Sequence, residues 1–402
     1  MNLEYGPEHE ALRAELREFL AGWPPSGEAA ALPRAQQEAL FRSRGIERGF
    51  VYRDVPRRYG GSEQPADALA DAILREEYWR AGAPGDILLQ GPSLLVPTLL
   101  ACGSEEQRQE IIPPTLRGER VWCQGYSEPG AGSDLASLTS RAVLEGDEWV
   151  IHGHKIWTSN ARHADWMFGL FRTEPDAPRH AGISYLLIPM HQPGVLVRPL
   201  KQLTGGLEFN EVFLDGARTA AANVVGRRGD GWQVSRVTLL HERKLMGNPH
   251  LLREQWRDLL ALARRSTLRG RPALEDPALR QRLAAIEGRL RCAETTTQRQ
   301  LTAGARGAEH EVMLSLLVTK LYSTDLVQEI SRCAYDLLGA EGLLAPSAED
   351  IADYGNLGTA TAFVEQYLFS LGPAIAGGAS NIQRNLIGER GLGLPRDLRK
   401  GK

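Results

Sequence analysis

Apolar residues recur every three or four positions in EHEALRAELREFLAG (8–22), ADALADAILREEYWRA (66–81) and EEQRQEIIPPTLRG (105–118). That spacing predicts helices with one buried face, the third carrying prolines near a boundary. PRRYGG (56–61) between them is a turn signal. The first 120 residues therefore read as a helical domain. The pattern then changes. SRAVLEGDEWVIHGHKIWTSN (140–160) has short alternating runs around Glu145-Gly146-Asp147, and WMFGLFRT, GISYLLIPM, GVLVRPL and NEVFLDG follow at short intervals. Strand-like runs broken by Gly, Pro and Asp predict a β domain over 121–229. Helical periodicity returns at Gly231. The stretches 232–266, 277–305, 309–342 and 358–391 fit a bundle of long helices. The order helical (1–120), β (121–229), helical (230–402) rules against a doubly wound α/β sheet.

Composition narrows the function classes. The 402 residues are 42% hydrophobic and 24% charged, with net charge -3. That is an ordinary soluble balance, with no basic surplus to drive nucleic-acid binding. Cys102, Cys123, Cys292 and Cys333 lie far apart and form no metal-type pair. No metal site is expected. The charged N-terminus has no apolar signal core and no stretch suits a membrane span, so the expected location is the cytoplasm.

The segment WCQGYSEPGAGSD (122–134) is rich in Gly, Ser and Pro, which leaves backbone N–H groups available to a ligand. It lacks the Gly-Lys-Ser/Thr of a Walker loop and the third glycine of a dinucleotide fingerprint. On composition alone it reads as a surface turn. It also resembles the signature of the acyl-CoA dehydrogenase family. The resemblance continues through PRRYGG, REEYWRAGAP (75–84), KIWTSN (155–160), GLEFNEVFLDGAR (206–218) and SNIQRNLIGERGLGLPR (380–396). It spans nearly the whole chain. The fold it implies is mostly α with a central β domain: an N-terminal helical domain, a β-barrel-like middle domain and a C-terminal four-helix bundle.

The resemblance also implies a cofactor, FAD, and places residues around it. Gln124, Tyr126 and Ser127 fall where backbone and hydroxyl groups meet the isoalloxazine ring. Trp157 matches an indole packed on the flavin. Thr158 and Ser159 follow, Ser159 at the position whose hydroxyl bonds flavin N5, where a donor favours the charge that grows as hydride arrives. Asp336, Gly339 and Ala340, in YDLLGAEGL, sit where relatives present Gln and Gly-Gly to a neighbouring subunit's flavin. Asp for Gln is a departure, since an anion near a pyrophosphate is unfavourable unless it is paired or bonds a ribose hydroxyl. Ala379, Ser380 and Asn381 match further FAD contacts. Relatives also carry an Arg-x-x-Phe-Gly motif; ALARRSTLRGRP (261–272) has several arginines without the Phe-Gly. On the substrate side, Ser133 matches a residue that holds the CoA thioester arm, and Leu240, Arg243, Gly377 and Gly378 are expected to line the acyl-CoA site.

The implied reaction is removal of an α-proton by a carboxylate with transfer of a β-hydride to flavin N5, giving a 2-enoyl-CoA. Most relatives supply the base from a Glu before Gly-Thr-Ser near the C-terminus. Here that stretch is AIAGGASNIQR (374–384) and the aligned residue is Gly377, which has no titratable group. A second arrangement, that of isovaleryl-CoA and long-chain acyl-CoA dehydrogenases, puts the Glu before an Arg on the first long helix of the C-terminal domain. VTLLHERKLMG (237–247) places Glu242 there. Leu239, Glu242 and Met246 share a helix face, and a carboxylate on an apolar stripe is costly unless it has a role. The plain alternative is a surface ion pair with His241 or Lys244. The expected partners are an acyl-CoA (an acyl-carrier-protein thioester as alternative), an electron-transfer flavoprotein as acceptor, and further subunits in a homotetramer or dimer, with a mixed tetramer as alternative. A monooxygenase on the same fold, or a subunit supplying only part of each flavin site, are the competing functions.

Overall fold

The structure is a computed structural model describing residues 5–85, 89–245, 249–306, 308–347 and 359–395. It contains two compact units, one of Tyr5–Lys201 and Leu207–Glu242, the other of Gln202–Gly206 and the chain from Arg243 onward.

The first unit begins with five helices: α1 (Pro7–Leu20), α2 (Arg34–Glu47), α3 (Ala68–Ala81), α4 (Val96–Cys102) and α5 (Glu105–Leu116). Their ends follow local chemistry. The Asp67 carboxylate accepts from Leu69 N and Ala70 N to start α3, and Gly82, at φ 59°, ends it. Ser104 and Gln107 form a reciprocal capping box at α5. Pro113 and Pro114 sit inside α5, in its last turns. Helix α2 was not legible as a separate periodic segment; only Phe41 and Gly45 of its residues are buried, too few for a continuous stripe. Leu16, Leu20, Phe41, Phe50, Leu74 and Tyr78 build the core here. Glu77 of α3, 2% exposed, is clasped by Arg13 (2.5 Å) and Arg17 (2.8 Å) of α1 and by Arg80 (3.2 Å). Burial raises its carboxyl pKa, but Arg17 and Arg13 outweigh burial and hold it below its ordinary value.

Eight strands follow: β1 (Trp122–Gly125), β2 (Arg141–Glu145), β3 (Glu148–Lys155), β4 (Trp166–Arg172), β5 (Ile183–Pro189), β6 (Val195–Pro199), β7 (Asn210–Ala220) and β8 (Val224–Val225). They form one sheet in the order β6-β7-β3-β2-β4-β5-β8, with β1 adding parallel to β4. Gly146, at φ 65°, turns the β2–β3 hairpin, in the left-handed region that glycine occupies without penalty. One sheet face packs Trp149, Ile151, Met167, Phe171, Leu186 and Val212 into a core. Residues 231–242 of α6 (Gly231–Leu245) complete this unit.

The second unit is helical: α7 (Pro249–Arg265), α8 (Pro277–Ala305), α9 (Glu309–Leu338), α10 (Ala360–Ser370) and α11 (Ser380–Leu386). Helix α9 packs against α7, α8 and α10 around Leu259, Ile286, Leu290, Leu326, Ile330 and Phe363. The periodic stretch 232–266 is two helices, not one. Pro249 stands at the first position of α7, where its missing N–H costs no bond. Among the described residues no helix is long and apolar enough to cross a membrane.

Candidate active site

The loop after β1 is held in place by charge buried beneath it. Gly125 permits close approach to β4, since a Cβ there would lie 2.3 Å from Met167 Sδ. Beyond it, Ser127 O accepts from Ile156 N (2.9 Å), and Glu128 and Ala131 exchange backbone hydrogen bonds at 3.0 Å. The Glu128 carboxylate turns inward. It accepts from Thr139 N (2.7 Å), Thr139 Oγ1 (2.8 Å), Ser140 N (3.0 Å) and Lys155 Nζ (2.8 Å). Lys155, wholly buried, also donates to Leu170 O (2.7 Å) and Tyr126 O (3.3 Å) and lies over the Phe171 ring. One ammonium thus ties the motif loop to β3 and β4. Burial raises the Glu128 carboxyl, but Lys155 and the other donors more than reverse this and hold it at about 2. Burial pushes Lys155 down, against the pull of Glu128.

Sequence reasoning missed this pair, although β3 contains a signal for it. Alternation puts Lys155 on the same face as the buried Trp149 and Ile151. A lysine in that register needs an interior partner.

Trp157 leaves β3 at φ 60°, a left-handed conformation rare for a bulky residue, and its side chain is among the exposed large hydrophobics at 58%. The backbone around it is braced. Thr158 N donates to Asn210 O (3.0 Å), Thr158 O accepts from Asn210 N (3.1 Å) and Nδ2 (3.0 Å), and Asn160 N donates to Glu208 O (2.7 Å). Phe209 meets the indole edge-on at 6.0 Å. A strained backbone presenting a bare indole is a feature of functional sites rather than of cores. Thr158 is fully buried, and no hydrogen bond reaches its hydroxyl. Ser159, Gln124 and Ser127 are half-buried, Tyr126 is buried, and Ser133 is exposed.

Helix α6 brings Glu242 to the same unit. Leu240 and Glu242 are half-buried, and Glu242 stands close enough to Tyr126 for its charge to act on the phenol. Thr238, one turn earlier, is wholly buried. Arg243 follows on the helix, but its side chain, like that of Lys244, lies outside the described residues, as does Met246.

The second unit carries the remaining expected residues. Asp336 pairs with Arg282 (2.7 Å) and Arg332 (3.1 Å). The anion is therefore neutralised, and two guanidiniums against one carboxylate leave a cationic cluster. Gly339 is at φ 56° and Ala340 is exposed. Gly377 and Gly378 adopt φ 59° and 94°. Their loop is fixed by buried Lys320, which donates to Pro373 O and Gly378 O (2.9 Å each), and by Gln383. Ala379 and Ser380 are half-buried and Asn381 is exposed at the start of α11. No group of three metal-type ligands occurs among the described residues.

Comparison with known proteins agrees along the whole length. Sequence models of the acyl-CoA dehydrogenase N-terminal, middle and C-terminal domains match residues 6–119, 123–217 and 229–392. The chain is 39% identical to acyl-CoA dehydrogenase IpdE1 of Mycobacterium tuberculosis, over 97% of this chain and 99% of that protein. It is 37% identical to IpdE1 of Mycolicibacterium smegmatis, over 98% and 99%. Among solved structures, the Tcur3481-Tcur3483 steroid ACAD superposes with a TM-score of 0.78 at 29% identity, covering 99% of this chain and 100% of that one. The ChsE4-ChsE5 complex from Mycobacterium tuberculosis gives 0.77 at 28% identity, over 99% and 100%. With all three domains matched in order and a relative of this similarity aligned end to end, the chain belongs to the acyl-CoA dehydrogenase family of flavoprotein oxidoreductases.

Proposed function

We propose that this enzyme desaturates an acyl-CoA thioester between its α and β carbons, with Glu242 as the base that takes the α-proton. The observation that carries the proposal is the carboxylate itself. Glu242 lies in the same compact unit as the motif loop, near enough for its charge to act on the Tyr126 phenol. The aligned alternative, Gly377, has no side chain. A half-buried carboxylate is well placed for proton removal.

The chain's residues fit FAD. The exposed Trp157 indole, the half-buried Ser159 and the buried Thr158 hydroxyl without a partner are groups that a flat heteroaromatic ring would engage. Taken by itself, the second unit carries a cationic Arg282–Asp336–Arg332 cluster and the polar Ser380 and Asn381, groups of the kind that bond phosphate and ribose. Bound FAD supplies the two-electron acceptor for the β-hydride. Lys155 and Glu128 fix the loop that would lie along it. Gln124, Ser127 and Ser133 present polar groups on that loop, and Leu240 and Arg243 share the helix of the base.

For the acyl group we favour a bulky, steroid-derived skeleton, because the structural relatives at 29–30% identity are steroid ACADs. An electron-transfer flavoprotein is the proposed acceptor, by family resemblance. Two neighbours are two-component assemblies, which supports a second reading: this chain works in a mixed oligomer with another chain of the same fold. Anaerobic mixing of the FAD-loaded protein with linear, branched and steroid-derived acyl-CoAs tests the proposal. Flavin bleaching fastest with the steroid-derived thioester supports it, and bleaching confined to short linear chains contradicts the substrate class. Substoichiometric FAD in the chain purified alone supports the mixed oligomer.

A further inference from the structure

One backbone donor on the motif loop is left unused, and a buried charge stands behind it. Ser127 O accepts from Ile156 N at 2.9 Å, so Ser127 lies beside the end of β3. The preceding carbonyl, Tyr126 O, faces inward, where it accepts from the wholly buried Lys155 ammonium at 3.3 Å. The Tyr126–Ser127 peptide is trans, so its N–H projects from the opposite side, away from Lys155. Among the described residues that N–H meets no acceptor. The nearby N–H groups of Glu128 and Ala131 differ, because each is spent on the other residue's carbonyl.

Two further unused groups follow Ile156 directly. They are the exposed Trp157 indole and the buried Thr158 hydroxyl without a partner. A free backbone donor, a bare indole and a free hydroxyl thus gather at the end of one strand. The charge behind them is a pair. Lys155 Nζ lies 2.8 Å from Glu128 Oε1, and both side chains are shut away from water. In such surroundings a cation on a carbonyl polarises the whole peptide and strengthens the N–H on its far side. Glu128 offsets that cation, so the balance of the pair governs the donor.

We propose that the buried Lys155–Glu128 pair sets the electron affinity of bound FAD through the Tyr126–Ser127 peptide. Lys155 is a positioning residue that polarises this peptide, and Ser127 N–H is the donor offered to the cofactor. The inference rests on the proposed FAD site but not on Glu242 being the base. Reduction adds negative charge to a bound flavin, so a stronger donor favours the reduced form.

The test is the two-electron reduction potential of bound FAD, with the affinity for oxidised FAD measured alongside. All measurements are made at pH 6 to keep Lys155 protonated. Lys155→Met removes the cation and leaves the carboxylate. It is expected to lower the ratio of reduced to oxidised FAD affinity about 3- to 10-fold, a fall of about 15–30 mV at about 30 mV per tenfold. Glu128→Gln leaves the cation without its counter-charge and is expected to raise the ratio by a similar factor. A purely structural role for the pair would loosen the loop in both variants and give shifts of one sign. An ester in place of the Tyr126–Ser127 amide, made with the hydroxy-acid analogue of serine, deletes the N–H alone and is expected to lower the ratio too. Shifts of the same sign in the two substitutions, shifts under about 2-fold, or an ester protein indistinguishable from wild type overturn the proposal. If Lys155→Met fails to fold, Glu128→Gln and the ester decide. A wild-type protein that takes up no FAD overturns the cofactor reading and this proposal together. Bound FAD whose potential ignores the pair overturns this proposal alone.

Discussion

Replacing Lys155 by methionine removes a buried charge at nearly constant volume and strands the Glu128 carboxylate. That carboxylate's side chain is only 4% exposed, so it lies largely out of reach of bulk water. The magnitude follows from its proton affinity. A carboxyl held at about 2 instead of 4.5 contributes about 3.5 kcal/mol at neutral pH, at about 1.4 kcal/mol per pH unit, shared between Lys155 and the Thr139 and Ser140 donors. Breaking a buried pair from one side costs about 3–5 kcal/mol by the same physics. Because the folded pKa is depressed, the contribution is complete above about 4.5. It is lost as pH falls through the window from 4.5 to about 2. Lys155→Met is therefore expected to destabilise the protein by about 3 kcal/mol at pH 7 and by much less at acid pH, where Glu128 is protonated anyway. Adding Glu128→Gln to Lys155→Met is expected to recover part of the loss, since no charge is then left buried. Urea unfolding at the two pH values, followed by tryptophan fluorescence, reads the difference. A Lys155→Met protein within about 1 kcal/mol of wild type at pH 7, or equally destabilised at both pH values, refutes the reasoning.

Three further outcomes are expected. Glu77→Ala takes the 2.5 Å partner from buried Arg13, which keeps Glu76 at 2.9 Å, and should cost about 1–3 kcal/mol in denaturant unfolding; parity with wild type would mean the clasp is ornamental. Trp157→Ala should leave the stability of the FAD-free protein within about 1 kcal/mol, because the indole is 58% exposed, yet weaken FAD binding about 3- to 10-fold in a fluorescence titration. Lys320→Met removes two 2.9 Å bonds to the Pro373 and Gly378 carbonyls, and thermal unfolding should show a loss of about 2 kcal/mol.

How much of this was legible in the sequence depended on the kind of signal. Strands announce themselves by alternation broken at turns, and β2 and β3 with Gly146 between them lie where the pattern put them. The long helices α8 and α9 carry enough periodic apolar positions to be read directly. Helix α2 does not, because its contribution to the core is two residues. The α6–α7 break hid behind periodicity that continues past Pro249. At the site, the motif loop and Glu242 were visible as residue types in order. What holds them was not. The Glu128–Lys155 pair joins residues 27 apart, and the Thr98–Thr238 contact joins residues 140 apart. Pairings at such separations are fixed by the sheet and by helix packing, not by local pattern. The departure at Asp336 resolved in the same way, since its partner Arg282 lies on a different helix.

The central claim is that Glu242 is the base, and anaerobic flavin bleaching of Glu242→Gln measures it most directly. The substitution keeps size and hydrogen bonding while removing the proton acceptor. With FAD content equal to wild type, the account predicts that an acyl-CoA which bleaches the wild-type flavin leaves the variant's absorbance unchanged on the same time scale. Bleaching of the variant at a near-wild-type rate would contradict it and move the base to another residue.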